Sequence, residues 1–181
     1  ADFGMVHKAF FTDLSTSPED RDEYQLADKI MSEMKPYAYF YGWHSYCKDK
    51  EPESLIMISR HGLIVSEGLA TLPNMSFHGQ VPVSPDFTFK QKARYNPNPV
   101  VEDKVYLTLI QSDGMGTGST WMKAGRGEIP YGWEANEEWY VTAPALLQFY
   151  YESATANDHF IGSLSGPGYL YPKAFAPDKF A

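Results

Sequence analysis

Apolar positions first gather at Val6, Ala9, Phe10 and Phe11 within Met5 to Asp13, then give way to polar Asp13, Ser15, Thr16 and Ser17. That order predicts a strand feeding a loop. Ser17-Pro18-Glu19-Asp20 has the form of a helix start, with a capping hydroxyl, proline at the first helical position and acids where the helix dipole favours them. Leu26, Ala27, Ile30 and Met34 continue at helical spacing and give one apolar face. The pattern recurs: Tyr37 to Trp43 predicts a strand, Pro52 to His61 a helix closed by Gly62, and Leu63 to Val65 a short strand. Gly68 to Pro99 shows no such periodicity and is broken by proline and asparagine, so it is expected to be a long elaborated loop. The near-continuous apolar run from Val105 to Ile110 predicts a strand buried on both faces and ended by Ser112-Asp113-Gly114. Beyond a Gly-rich loop, a helix is expected to begin at Thr120 to Lys123, a strand at Ile129 to Glu134, a helix at Thr142 to Ser153 and a last strand at His159 to Ser163.

Strands alternating with helices predict an α/β fold with a parallel sheet. About six strands fit most of a (β/α) barrel or a doubly wound sheet, and since a complete barrel takes about 250 residues, an incomplete or shortened TIM-type barrel is expected. At 181 residues, residues 1–181 are expected to make one α/β domain.

Composition narrows the partners. The net charge of -8, with 15 scattered Lys and Arg, argues against nucleic acid, because binding to phosphates draws on clustered cations. No apolar run approaches the roughly 20 residues of a membrane span. Aromatics reach 15% of the chain, with 13 Tyr and 4 Trp, side chains suited to flat sugar rings and to interfaces. The single Cys47 excludes an internal disulfide framework. His7, His44, His61, His78 and His159 show no paired metal-binding spacing, so neither metal nor cofactor is expected. The glycines from Gly114 to Gly118 lack the Gly-Lys-Ser/Thr ending of a nucleotide loop.

The stretch Gly166-Pro167-Gly168-Tyr169-Leu170-Tyr171-Pro172 reads GxGYxYP, and other features precede it in order. These are Asp113-Gly114, Trp121, Gly132-Trp133, the aromatic-rich helix from Pro144 to Tyr151, and Ala154-Thr155-Ala156-Asn157-Asp158-His159-Phe160. Asp13-Leu14-Ser15 and Leu72-Pro73-Asn74-Met75-Ser76-Phe77-His78 extend the pattern upstream. In this the chain resembles the GxGYxYP putative glycoside hydrolases over nearly its whole length. The resemblance implies an extracellular or secreted protein that hydrolyses glycosidic bonds in a poly- or oligosaccharide. The sequence departs from the family at Asp113-Gly114-Met115, where members tend to carry Asp-Gly-Asp-Asn. A non-catalytic carbohydrate-binding or structural glycoprotein component is therefore the alternative. Family members continue beyond the position where this sequence stops, so a mature form or a fragment truncated at the C-terminus is expected, and other protein chains are open as partners.

Glycosidic cleavage needs two carboxyl groups, about 5 to 10 Å apart, and parallel sheets gather such groups beyond the C-terminal strand ends. Asp113 is the first catalytic candidate and Asp13 the second, with Glu67 and Glu134 at similar places; each of these acids also suits a turn or helix cap. Trp43, His44, Trp121, Trp133 and Tyr169 are candidates for sugar contact through their rings, and Asn74 and His78 through hydrogen bonds. Asn74-Met75-Ser76 is also an N-glycosylation sequon. Within the signature, one tyrosine is expected to face a cleft, or both to pack the loop against the domain.

Overall fold

A computed structural model of the chain describes residues 2–44, 47–66, 74–112, 120–135, 137–162 and 168–179. They form two compact units, one of residues 1–74 with 164–181 and one of residues 75–163.

In the first unit, helix α1 (Asp2–Val6) and helix α2 (Arg21–Ser32) precede a β-α-β turn of strand β1 (Tyr39–Tyr41), helix α3 (Glu51–Arg60) and strand β2 (Ile64–Ser66). Parallel neighbours need a crossover, and α3 supplies it: Tyr39 pairs with Ile64, Phe40 with Val65 and Tyr41 with Ser66. Helix α3 starts where the sequence predicts, with Pro52 in its first turn and the Glu53 carboxylate accepting from the Lys50 amide at 3.2 Å. It stops at Gly62, whose φ of +74° only glycine adopts freely, and the Leu63 amide reaches back to the Ile58 carbonyl. Ala27, Met31, Leu55, Met57, Ile58, Leu63 and Val65 make the core.

The second unit holds the short helix α4 (Met75–His78), strand β3 (Ile110–Gln111), strand β4 (Tyr131–Ala135), helix α5 (Trp139–Thr142), helix α6 (Pro144–Ser153) and strand β5 (Asp158–Gly162). Its strands form a parallel sheet in the order β3-β4-β5, with Trp133 beside Phe160. On the face they share, Trp121 stacks on Phe160 at 5.8 Å and meets Trp133 and Tyr150 edge-on. The expected long loop is anchored rather than free in its second half. Gln91 donates to the Phe160 carbonyl at 2.8 Å and accepts from the Phe160 amide at 3.0 Å, imitating a further strand along the open side of β5. Gln148 holds Ser84 as well, accepting from its amide and donating to its hydroxyl.

The TIM-type barrel is not formed. Among the described residues the strands make two separate parallel sheets, of two and three strands, and neither closes. Two local expectations fail with it. Met5 to Asp13 is not a strand, because helix α1 occupies its start and the rest is exposed; adjacent Phe10 and Phe11 cannot share one face of a strand. The apolar run before Asp113 is not buried on both faces. Only Ile110 and Gln111 pair, at the sheet edge, and Val105 is 98% exposed.

Candidate functional site

Three acids of the first unit, Asp13, Glu23 and Asp49, come together around one loop. Asp49 is buried and accepts hydrogen bonds from the hydroxyls of Ser15 and Thr16, each at 2.7 Å, and from the Thr16 amide at 3.0 Å. Burial alone would raise its pKa, but the Ser15 hydroxyl, the amide and hydroxyl of Thr16, and the Ser17 amide outweigh that and hold it below the usual carboxylate range. Glu23 accepts from the Ser15 amide at 2.6 Å and pairs with Lys48 at 3.1 Å, and both contacts lower its pKa. Asp13 sits at the rim of this group. Its side chain is 83% exposed, with a carboxylate oxygen 3.5 Å from the Lys48 ammonium.

Trp43, His44 and Tyr169 meet in the same unit. The Trp43 ring lies parallel to Tyr169 at 5.6 Å and tilts against His44 at 5.4 Å. The adjoining cavity, lined by Phe40, Trp43, His44, Leu55 and Val65 among others, has about 10 Å³, room for a single water and far too little for a sugar ring. The described part of the signature is spent on packing. Tyr169 exchanges both backbone hydrogen bonds with Val65, its hydroxyl donates to Glu51 at 2.7 Å, and the Tyr171 amide donates to Ser59 at 2.9 Å. Gly168 is needed for this approach, since a Cβ there would lie 2.5 Å from Ile64 and 2.8 Å from the Val65 carbonyl oxygen. Both tyrosines pack on the core of the unit. Asn74 is exposed with a left-handed backbone (φ +59°), and His78 ends α4 against Phe77.

In the second unit Trp121 and Trp133 are both buried, 1% and 5% exposed. The Trp133 indole donates to Asp158 at 2.8 Å, so these rings hold the sheet face together. Asp158 is wholly buried and also takes the Arg126 guanidinium at 2.5 Å, the Thr155 amide at 2.7 Å and the Thr155 hydroxyl at 2.9 Å. The guanidinium lies 4.2 Å above the Trp121 ring. The Ala154-to-Phe160 run thus closes the turn entering β5. Glu134 is buried within β4 on the opposite face from Trp133.

An open cleft of about 390 Å³ lies where β4 and β5 end, within the range of small-ligand sites. Ala135 and Gly162, the last residues of the two strands, line it together with Glu137, Tyr140, Leu147, Tyr151, Phe160 and Ile161. This is the C-terminal edge of a parallel sheet, where open α/β sheets bind their ligands. Helix α5 follows β4 after one short turn and brings Tyr140; α6 lays Leu147 and Tyr151 across the same end. Tyr151 stacks on Phe160 at 4.3 Å, and Phe89 from the anchored loop meets Tyr140 and Tyr151 edge-on. Burial and a hydrogen bond with Tyr140 push the Tyr151 phenol well above the usual tyrosine range. The exposed Glu137 carboxylate makes no hydrogen bond or ion pair among the described residues. Sequence reasoning did not pick out Glu137, Tyr140 or Tyr151; the available signal was the Trp133-to-Tyr140 stretch, an acid and a tyrosine directly after a strand.

Asp113 lies outside the described residues, as do Glu67 and the glycines from Gly114 to Gly118; in sequence Asp113 follows the end of β3 by two residues. Among the described residues, no three His, Cys, Asp or Glu groups converge to hold a metal, and no helix is long and apolar enough to cross a membrane.

The chain is similar in fold to the crystal structure of a putative hydrolase from Bacteroides thetaiotaomicron VPI-5482. The TM-score is 0.73 at 22% identity, over 88% of this chain and 31% of that one. This chain therefore spans about a third of the length of that relative. No curated protein matches the sequence at a significant level. Residues 1–80 match the model of the GxGYxYP third domain, and residues 103–181 match that of the GxGYxYP putative glycoside hydrolase C-terminal domain. With the signature and both of these matches in place, the chain belongs to the GxGYxYP family.

Proposed function

We propose that this chain carries the substrate site of a glycoside hydrolase, cleaving O-glycosidic bonds of an oligo- or polysaccharide by carboxylate acid/base chemistry. The observation that carries the reading is the cleft at the C-terminal ends of β4 and β5, which combines aromatic walls, phenol hydroxyls and a carboxylate that no described residue holds. The family model's description and the fold shared with the putative hydrolase from Bacteroides thetaiotaomicron support it.

In this reading Asp113, two residues after β3 in sequence, and Glu137, two residues after β4, are the two carboxyl groups. One, protonated, assists the leaving oxygen, and the other attacks the anomeric carbon or activates water. The rings of Tyr140 and Tyr151 form the aromatic wall for the sugar, and their hydroxyls bond to its hydroxyls. Asp13 remains a separate candidate. In this reading the protein meets its oligo- or polysaccharide outside the cell, as an extracellular or secreted protein.

The test is turnover of a panel of chromogenic glycosides. Asp113→Asn and Glu137→Gln should each lower kcat at least a hundredfold on the substrate that wild type cleaves, the scale of a lost acid/base group, and a loss of that size in Asp13→Asn would make Asp13 one of the pair. Unchanged kcat in both of the first two variants would sink this assignment. The altered Asp113-Gly114-Met115 turn favours a second reading, a carbohydrate-binding component without turnover, and glycan binding by a wild type that cleaves nothing would select it.

A further inference from the structure

We infer that the cleft beyond β4 and β5 takes uncharged glycans and turns away acidic ones, such as uronates and sulfated sugars, with Glu137 setting that choice. The inference rests on reading this cleft as the sugar site.

Recognition of a carboxylate or sulfate ester on a sugar needs a cation, most often arginine in a bidentate pose. The residues lining the cleft include one acid, Glu137, and no base. The segments that continue the chain from these strand ends, residues 113–119, Asn136 and residues 163–167, contain no Lys, Arg or His either, so the sequence offers no cation from there. Two cations of the same unit are already held: Lys92 by the Glu152 carbonyl at 2.6 Å, and Arg126 by Asp158. The other polar side chains at the lining are the Tyr140 and Tyr151 phenols, which hydrogen-bond to each other and still leave one donor and spare lone pairs for sugar hydroxyls. A second negative charge brought beside Glu137 gains nothing here and meets like-charge repulsion.

The probes are matched glycan pairs that differ only at C6, hexose oligomers and their uronate counterparts, measured for binding to the full chain at low ionic strength. Neutral members should bind at least tenfold more tightly. The ratio should shrink towards one in Glu137→Gln, and also in wild type when salt is raised, because the discrimination is electrostatic. Ile161→Lys, which adds a cation at the lining, should reverse the preference. Circular dichroism and melting temperature check that each variant is folded. Equal or tighter binding of uronates by wild type overturns the inference and leaves the hydrolase reading standing. If no glycan of either kind binds, both fall.

Discussion

The turn entering β5 and the rim just beyond β4 lie at opposite ends of one pair of parallel strands, and they use their acids in opposite ways. Asp158 is fully buried and accepts from a guanidinium, an indole, an amide and a hydroxyl. Glu137 is exposed on the rim of the cleft and none of the described residues holds it. A carboxylate with four donors is part of the architecture; it has no capacity left for a ligand, and removing it strands its partners. A carboxylate with no donor adds little to folding and keeps its full capacity for something that arrives later. Where an acid's hydrogen bonds go therefore separates the two roles better than its place near a strand end.

The contrast can be attacked first where it predicts most. Asp158→Ala should cost about 3–5 kcal/mol, because it leaves Arg126 uncompensated beside a buried indole, and denaturant unfolding should show the loss directly. A cost under 1 kcal/mol would mean the turn does not depend on its carboxylate. Gly168→Ala extends the idea to the backbone. Its added methyl meets Ile64 and the Val65 carbonyl, and should cost about 1–3 kcal/mol with glycan binding unaffected in whatever fraction stays folded.

Asp49 gives a gentler test through pH. Its pKa is lowered in the folded chain, so its contribution is complete above the unfolded value near 3.9 and fades as pH falls through the folded one. Asp49→Asn should therefore flatten the acid limb of the stability curve in equilibrium unfolding between about pH 5 and pH 2. An unchanged limb would show that Asp49 is not what acid removes. Glu137→Gln should move stability least, within about 0.5 kcal/mol, while changing what the cleft binds. A large destabilisation would place Glu137 with Asp158 and dissolve the distinction.

Much of the architecture was legible in the chain. Pro52 and Gly62 bracket α3, Pro144 opens α6, and the alternation of elements gave parallel pairing in both sheets. The barrel was not, because counting strands says nothing about which of them pair. The run from Val105 to Ile110 misled for a related reason: an unbroken apolar stretch fits a strand covered on both sides, yet only its last residue pairs, at a sheet edge. The site was read less well than the fold. Trp121 and Trp133 look in sequence like rings at strand ends, and only packing shows both of them inside. Asp158 was read as one letter of a family pattern, and its role depends on Arg126, 32 residues away. Glu137 and Tyr151 become neighbours of one cleft only once α5 and α6 have folded back over the sheet.

The Gln91 amide that brackets Phe160 also gives the three-stranded sheet a direction of growth. Its two hydrogen bonds occupy the backbone positions through which another strand would join beside β5. The opposite margin, at β3, is preceded by the exposed apolar run and carries no such bracket among the described residues. Among the described residues, a strand that joined this sheet would find the β5 margin taken at Phe160 and the β3 margin without such a bracket.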